Sequence, residues 1–120
     1  MIARIWHGYT ANENADKYEA MLKPEPLPGI NQVRGYLGCY LLRRPKGSEV
    51  EFVTVLLWES LDALRAFAGP DYELSIVPLE RRKLLSHYDE CPAHYDVIIL
   101  RPGSELSGLN HLVDVQSALH

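Results

Sequence analysis

The segment from Trp58 to Asp89 limits the possible folds most strongly, because a strand there leads directly into a helix. Residues 53–58, VTVLLW, are apolar or β-branched and are typical of a strand. Ser60 follows as a helix N-cap, because its hydroxyl can accept a backbone N–H that the first turn leaves unpaired. Residues 61–68 then repeat apolar side chains at helical spacing. The sequence therefore predicts a strand, a tight corner and a short amphipathic helix.

A glycine–proline break ends this helix, and a further helix is predicted beyond it. Gly69–Pro70 stops the first helix, and Asp71 can begin a second one that ends before Pro78. Residues 81–83, RRK, are interpreted as a solvated helix face. Residues 86–92 are predicted to form a polar turn before the last strand.

The other apolar segments complete the set of strands and helices. Strands are predicted over residues 2–9, 36–43, 51–58 and 94–100. Asn12 or Asn14 can cap a first helix, which lies between the first two strands. A hairpin loop over residues 44–48 makes the second and third strands antiparallel neighbours. The run 97–100, VIIL, predicts that the last strand is buried on both faces.

The order of these elements predicts an α+β fold. The order βαββαβ is that of a ferredoxin-like chain with an antiparallel sheet. Two helices cover one face of such a sheet, and the other face stays open and apolar. Pairing two sheets across a twofold axis would bury that face and form a dimeric α+β barrel, so we expect a homodimer. We assign residues 1–102 to this domain and 103–120 to a C-terminal extension, either a short helix or a tail.

Composition narrows the classes of partner. The chain has 120 residues and a formal net charge of -4, which argues against a nucleic-acid partner. No apolar run approaches membrane-spanning length and the start lacks a signal-peptide core, so we expect a cytoplasmic protein without a membrane partner. Cys39 and Cys91 are interpreted as reduced thiols. No His, Cys or carboxylate spacing predicts a metal site.

Two short motifs carry a resemblance to a known family. The corner Trp58-Glu59-Ser60 and the approach Ser86-His87-Tyr88-Asp89 resemble those of antibiotic-biosynthesis-monooxygenase-like (ABM) domains, and the likeness covers most of residues 1–100. Those domains belong to the dimeric α+β barrel group. The resemblance implies an oxidation by dioxygen of a small aromatic or polyketide-like compound, without metal, flavin or other cofactor.

Such chemistry requires a dry pocket, a base and groups that stabilise an anion. We expect the pocket on the open face of the sheet, inside the barrel. His7 is the first candidate for the catalytic base and His87 the second, because the pKa of histidine lies near neutrality. Trp6 and His7 point to opposite faces of one strand, so at most one of them lines the pocket. The predicted substrate-binding residues are Arg4, which would stabilise an anion, and the aromatic residues Trp6, Tyr40, Trp58 and Tyr72.

A haem-degrading branch of the same superfamily resembles this chain less well. That branch has a Trp in its second helix and a His further on that binds the iron. Phe67 stands near the Trp position here, and Ile76 or Val77 stands where the His would be. The sequence therefore predicts no haem.

Two other functions remain open at this point. A non-catalytic dimeric barrel could bind a small molecule or respond to stress, and its cavity would be filled by the protein's own side chains or lined without a titratable group. An isomerase or dehydratase on the same scaffold would use His7 or His87 to shuttle a proton. The sequence does not separate the monooxygenase from the isomerase.

Overall fold

A computed structural model describes residues 1–103 and has the α+β architecture that the order of elements predicted. The strands are β1 (Ile2–Ala11), β2 (Tyr36–Lys46), β3 (Glu49–Trp58), β4 (Leu85–Tyr88) and β5 (Ala93–Asp96). The α-helices are α1 (Ala15–Leu22), α2 (Leu61–Ala68) and α3 (Leu79–Arg82), with 3-10 turns at Asn12–Asn14 and Ile30–Gln32. From residue 104 onward, the predicted C-terminal extension lies outside the described residues. No helix within residues 1–103 is long and apolar enough to cross a membrane.

All pairings in the sheet are antiparallel, and β1 lies at its centre. The order is β2-β3-β1-β4, and β5 also pairs with β1. β4 lies beside the Gly8–Thr10 end of β1, whereas β5 lies beside the Ile2–Ile5 end. The fourth strand of the ferredoxin-like order is therefore divided into two short strands.

The predictions for the last strand were partly wrong. The segment predicted as a polar turn, 86–92, contains most of β4, and the strand predicted over 94–100 ends at Asp96. Ile98 is 86% exposed, although the run 97–100 was predicted to be buried. The β1–β5 pairing ends at Ile2 and Asp96, Val97 donates its N–H to the carbonyl of Met1, and within residues 1–103 no strand pairs with the chain beyond that point.

Helix α2 begins as predicted, whereas the helix predicted from Asp71 is absent. The Ser60 hydroxyl caps α2 by accepting the N–H of Ala63 at 3.1 Å. Residues 71–74 form turns instead of a helix, and the next helix begins only after Pro78. The carbonyls of Tyr72 and Leu74 accept hydrogen bonds from Arg4, so they are engaged by a side chain instead of by helical N–H groups.

The first helix begins close to the predicted position. Asn14 occupies the N-cap position of α1, but its side chain makes no capping hydrogen bond, and Asn12 begins the preceding 3-10 turn. Ala15, Tyr18 and Leu22 form the buried stripe of α1. This stripe fixes which face of the sheet the helix covers.

The two faces of β1 have different surroundings. Gly8 lies opposite Phe52 in the sheet, and Phe52 packs against Tyr18 of α1. Residues at alternate positions from Gly8 lie on the same face of the strand, so their side chains face the helices; they are Ile2, Arg4, Trp6 and Thr10. The alternate side chains, Ala3, Ile5, His7 and Tyr9, lie on the open face.

Candidate functional site

A pocket lies between the helix-covered face of the sheet and the segments that pack over it. The sheet contributes Arg4 and Trp6 from β1, and Thr54 and Leu56 from β3. The covering wall comes from α1, the proline-rich connection after it, α3, and residues 75–78. We expected the pocket on the open face, but this one is on the opposite face of the sheet.

The pocket is small and mostly apolar. Its volume is about 40 Å³, enough for roughly three water molecules at about 10–15 Å³ each. Its apolar walls are formed by Leu22, Pro26, Leu27, Leu56, Ile76 and Val77. A ligand as large as an aromatic ring would therefore have to displace part of the wall.

Arg4 is the charged group on the sheet side of this pocket. It is only 4% exposed, and its guanidinium donates to the carbonyl of Tyr72 and, at 3.0 Å, to that of Leu74. Its Nη1 also lies 2.9 Å from Nε2 of His94. Because a guanidinium can only donate, Nε2 of His94 must be the acceptor, and the imidazole is neutral. Burial lowers the pKa of Arg4 to about 10.

His94 is held as a neutral base beside Arg4. Burial, and then the positive charge of Arg4, lower the pKa of His94 below its ordinary value. The ring of Tyr72 lies 5.5 Å from the His94 ring. His94 thus borders the pocket through its contact with Arg4.

Arg81 is a second buried cation in the same pocket. It is 8% exposed and donates to the carbonyls of Pro26 and of Glu25, the latter at 3.2 Å. Burial lowers the pKa of Arg81, although Tyr18 and the Glu25 carboxylate oppose this effect. Within residues 1–103, no carboxylate lies within ion-pair distance of either Arg4 or Arg81.

Two aromatic residues give the pocket defined hydrogen-bonding groups. Burial raises the pKa of Tyr18 to about 12, so its hydroxyl is protonated at neutral pH and can donate. The indole N–H of Trp6 is shared between the Ser75 hydroxyl and the carbonyl of Asp89, both at 2.9 Å. The ring of Trp6 lies over Gly8, where an added Cβ would be 2.7 Å from the ring. Gly8 therefore leaves the room that this orientation of Trp6 requires.

The arrangement favours an anionic or ionisable ligand. A buried charge is costly unless it is paired, and carbonyl groups satisfy hydrogen bonds without neutralising the charge. Two such cations against an apolar wall create a positive potential where the local dielectric is low. A phenolate or carboxylate oxygen would be stabilised there, and its apolar body would contact the walls.

Of the predicted substrate-binding residues, Arg4 and Trp6 line the pocket. Tyr72 lies next to it and contributes a backbone carbonyl to Arg4. Trp58 is buried in a separate core cluster with Ile30, outside the pocket, and its indole N–H has no partner among the described residues. Tyr40 pairs with Val55 and lies on the open face.

The two predicted catalytic histidines lie on the open face and not in the pocket. His7 contacts the Asp89 carboxylate through Nδ1 at 2.7 Å. His87 stacks on Tyr9, with 4.2 Å between ring centroids, and contacts Glu49 at 3.0 Å. Both histidines are paired with carboxylates at the surface, so the structure does not bring them together with Arg4 and Trp6.

Arg81 and Tyr18 line the pocket but were not predicted to do so from the sequence. Arg81 was interpreted as part of a solvated face, but only its neighbours Arg82 and Lys83 are exposed. The burial of Arg81 follows from contacts with carbonyls more than fifty positions earlier in the chain, which no local pattern reveals. Tyr18 was not among the predicted site residues. Residues 1–103 contain no group of three His, Cys, Asp or Glu side chains that could hold a metal ion.

The fold matches known structures, although no protein-family model and no curated protein matches the sequence. A Bacillus cereus protein described as an antibiotic biosynthesis monooxygenase superposes with a TM-score of 0.62 at 13% identity, over 88% of this chain and 98% of that one. The heme-degrader MhuD of Mycobacterium tuberculosis, with two hemes in its active site, gives 0.53 at 22% identity, over 84% and 99%. SnoaB, a cofactor-independent oxygenase of Streptomyces nogalater, gives 0.50 at 16% identity, over 85% and 98%.

The chain therefore has the fold of ABM-type domains, as the resemblance in sequence predicted. The match covers most of this chain and nearly all of each related structure. At these identities the likeness concerns the fold alone, and function must be argued from the pocket.

Proposed function

We propose that this protein is a cofactor-independent monooxygenase of the ABM kind, which acts on a small aromatic or polyketide-like compound. The observation that carries the proposal is the buried guanidinium of Arg4, which lines an apolar pocket and has no carboxylate partner within residues 1–103. The likeness in fold to SnoaB supports the same reaction class. Reduced aromatic compounds that can ionise to a phenolate match the charge and the walls of this pocket.

The chemistry follows from stabilising the ionised substrate. A ring ketone that has a CH₂ group in the same ring tautomerises to a phenol, the phenol loses its proton to solvent, and Arg4 stabilises the phenolate. The phenolate supplies electrons directly to dioxygen. One oxygen atom becomes a carbonyl on the former CH₂ carbon, and the other leaves as water with the two hydrogens of that carbon. The reaction consumes one dioxygen per substrate and balances without an added reductant.

The wall formed by residues 71–78 would have to move when a ring binds. This segment consists of turns and irregular chain, and side chains such as Arg4 and Trp6 hold it to the sheet. Such segments move more readily than packed helices or strands. We infer that binding opens the pocket at this segment and that closure excludes water.

We also propose that the protein is a cytoplasmic homodimer that pairs through the open face of the sheet. Large apolar side chains are exposed on this face, among them Leu42 at 53% and Tyr95 at 55%. Ile5, Val53 and Val55 extend the same apolar surface, which is large for a monomer.

Oxygen uptake tests the monooxygenase proposal. An oxygen electrode would follow anthrones and hydroquinones with protein treated with a chelator, and mass spectrometry would follow label from ¹⁸O₂. We expect one labelled oxygen atom in the product and a rate that falls at least tenfold in R4Q, since an oxyanion-stabilising donor contributes about 10²-fold or more. R34Q, which changes an exposed arginine, is the control. No uptake with any compound that binds the pocket would contradict the proposal.

One observation favours the non-catalytic alternative. No histidine of the described part of the chain lines the pocket, and its volume of about 40 Å³ is small. Under this alternative, ligands bind at Arg4, but dioxygen is not consumed and the ligand is recovered unchanged. The same ¹⁸O₂ experiment separates the two functions.

A further inference from the structure

The two buried cations that line the pocket contact different parts of the chain, which we call the Arg4 end and the Arg81 end. Arg4 contacts the carbonyls of Tyr72 and Leu74 and the neutral imidazole of His94. Arg81 contacts the carbonyls of Glu25 and Pro26 and lies near Tyr18, where its positive charge lowers the pKa of the Tyr18 hydroxyl while burial raises it. A single phenolate oxygen would account for Arg4 but would leave Arg81 without an anion.

At the Arg81 end, some hydrogen-bond donors have no acceptor within the described residues. A guanidinium has five N–H groups, and Arg81 uses Nη1 and Nη2 to contact three backbone carbonyls, those of Met21, Glu25 and Pro26. The Nε–H and a second Nη1–H make no hydrogen bond within the described residues. The Tyr18 hydroxyl, which lines the same end, likewise has no hydrogen-bond partner there. The carbonyls are already engaged, so this end offers a ligand hydrogen-bond donors.

A carboxylate fits such an end better than a neutral polar group does. An ionised carboxylate only accepts hydrogen bonds, and its two oxygens match the planar fork of a guanidinium. Its charge would also neutralise a buried cation that no side chain within residues 1–103 pairs. A carboxamide has the same shape, but it carries no charge and brings an NH₂ group that would face further donors.

We propose that the substrate of this pocket is an aromatic acid whose carboxylate is bound by Arg81 and Tyr18, while its reacting oxygen lies at Arg4. This inference rests on the proposed function for the role of Arg4 and adds the class of substrate. The apolar residues between the two ends, such as Leu22 and Leu56, would contact the ring. Arg81 is then the residue that determines specificity for the acid.

A matched pair of ligands tests the proposal without turnover. Calorimetry under anaerobic conditions would measure the Kd of 3-hydroxybenzoate and of 3-hydroxybenzamide, which differ in charge but hardly in shape. For the unchanged protein we expect the acid to bind about tenfold more tightly or better, since hydrogen bonds to charged groups are the strong ones. Equal affinity for the two ligands would overturn the proposal.

Variants separate a local effect from the total charge of the protein. R81Q should weaken binding of the acid about tenfold and change binding of the amide less than about twofold. R34Q removes the same charge from an exposed position and should change neither Kd. An equal loss of acid binding in R34Q would show that only net charge matters and would overturn the proposal.

Tyr18→Phe provides a second test in case R81Q does not fold. It removes one hydroxyl and no charge, so we expect about a tenfold loss for the acid, the size of one hydrogen bond to a charged group, and little change for the amide. An equal loss for both ligands would mean that Tyr18 only shapes the wall, and would count against the carboxylate site.

Failure of this inference differs from failure of the proposed function. If acid and amide bind equally while anthrones are oxygenated, the carboxylate site is wrong and the monooxygenase stands. If the acid is preferred but no dioxygen is consumed with any ligand, the carboxylate site stands and the monooxygenase is wrong.

Discussion

Arg4 is a single residue whose buried charge lowers the stability of the fold. It occupies a position on β1 that faces the helices, where an apolar side chain would bury surface at no electrostatic cost. Instead, a cation contacts two carbonyls and a neutral histidine. A charge kept in an apolar pocket in this way is typical of a site that binds or stabilises an anion.

The lowered pKa of Arg4 predicts how anion binding depends on pH. Burial lowers this pKa from 12.5 to about 10 in the folded protein. The affinity for 4-nitrophenolate, which is ionised in this range, should therefore be level between about pH 8 and pH 9 and fall above about pH 10 as Arg4 loses its proton. The fall begins near the pKa of the unliganded protein, about 10, and ends near the higher pKa that Arg4 has with the anion bound. Titration by fluorescence quenching would measure it.

The contribution of Arg4 to folding stability should change with pH in the opposite direction to the affinity for the anion. Because its folded pKa is below its unfolded pKa, Arg4 disfavours folding at neutral pH, and this penalty is relieved as pH rises from about 10 toward 12.5. Anion binding should thus weaken at alkaline pH while the contribution of Arg4 to unfolding free energy increases. R4Q should show neither change. If R4Q lost affinity above pH 10 as the unchanged protein does, another group would be responsible.

Helix α2 provides a test at the scale of an element. Its first turn depends on the hydrogen bond from the Ala63 N–H to the Ser60 hydroxyl. Ser60→Ala should lower the free energy of unfolding by about 1 kcal/mol, within the range for lost N-caps. Urea denaturation would measure the difference. Ser48→Ala, at an exposed position in the loop between β2 and β3, should have almost no effect, and equal losses in the two variants would argue against the cap.

Local patterns predicted the elements whose causes are local. The cap at Ser60, the break at Gly69–Pro70 and the hairpin between β2 and β3 each depend on neighbouring residues, and all three appear in the structure. The division of the last strand depends instead on where β1 begins and ends. The missing helix after Asp71 depends on Arg4, which engages carbonyls about seventy positions away in the chain.

The candidate site could be predicted only in part for the same reason. Alternation along β1 correctly placed Trp6 and His7 on opposite faces, but it could not show which face carried the pocket. Which face of the sheet carries the pocket depends on where α1 packs and on the segments that fold over Arg4. Arg81 enters the pocket through long-range contacts with a proline-rich connection, so its local sequence resembles that of any solvated helix.

At the scale of the whole molecule, the open face of the sheet predicts a homodimer. Val55 lies on this face between Ile5 of β1 and Tyr40 of β2. Val55→Glu would place a charge inside the dimer, and burying an unpaired charge is strongly unfavourable. Light scattering after size exclusion should give twice the chain mass of 13.6 kDa for the unchanged protein and a monomer for V55E.

The control for this prediction is an exposed leucine on the other side of the molecule. Leu79 lies on α3, away from the open face, and Leu79→Glu should leave the mass unchanged. A monomeric mass for the unchanged protein would contradict the dimer, and so would an equal effect of both substitutions.

We propose that the ligand site lies between the sheet and the helices, at Arg4. A crystal structure with 3-hydroxybenzoate bound would show whether it does. We expect the ring between β1 and α1, the hydroxyl within hydrogen-bond distance of the Arg4 guanidinium, and the segment 71–78 displaced outward. A ligand on the open face beside His7 or His87, with the Arg4 pocket unchanged, would contradict it.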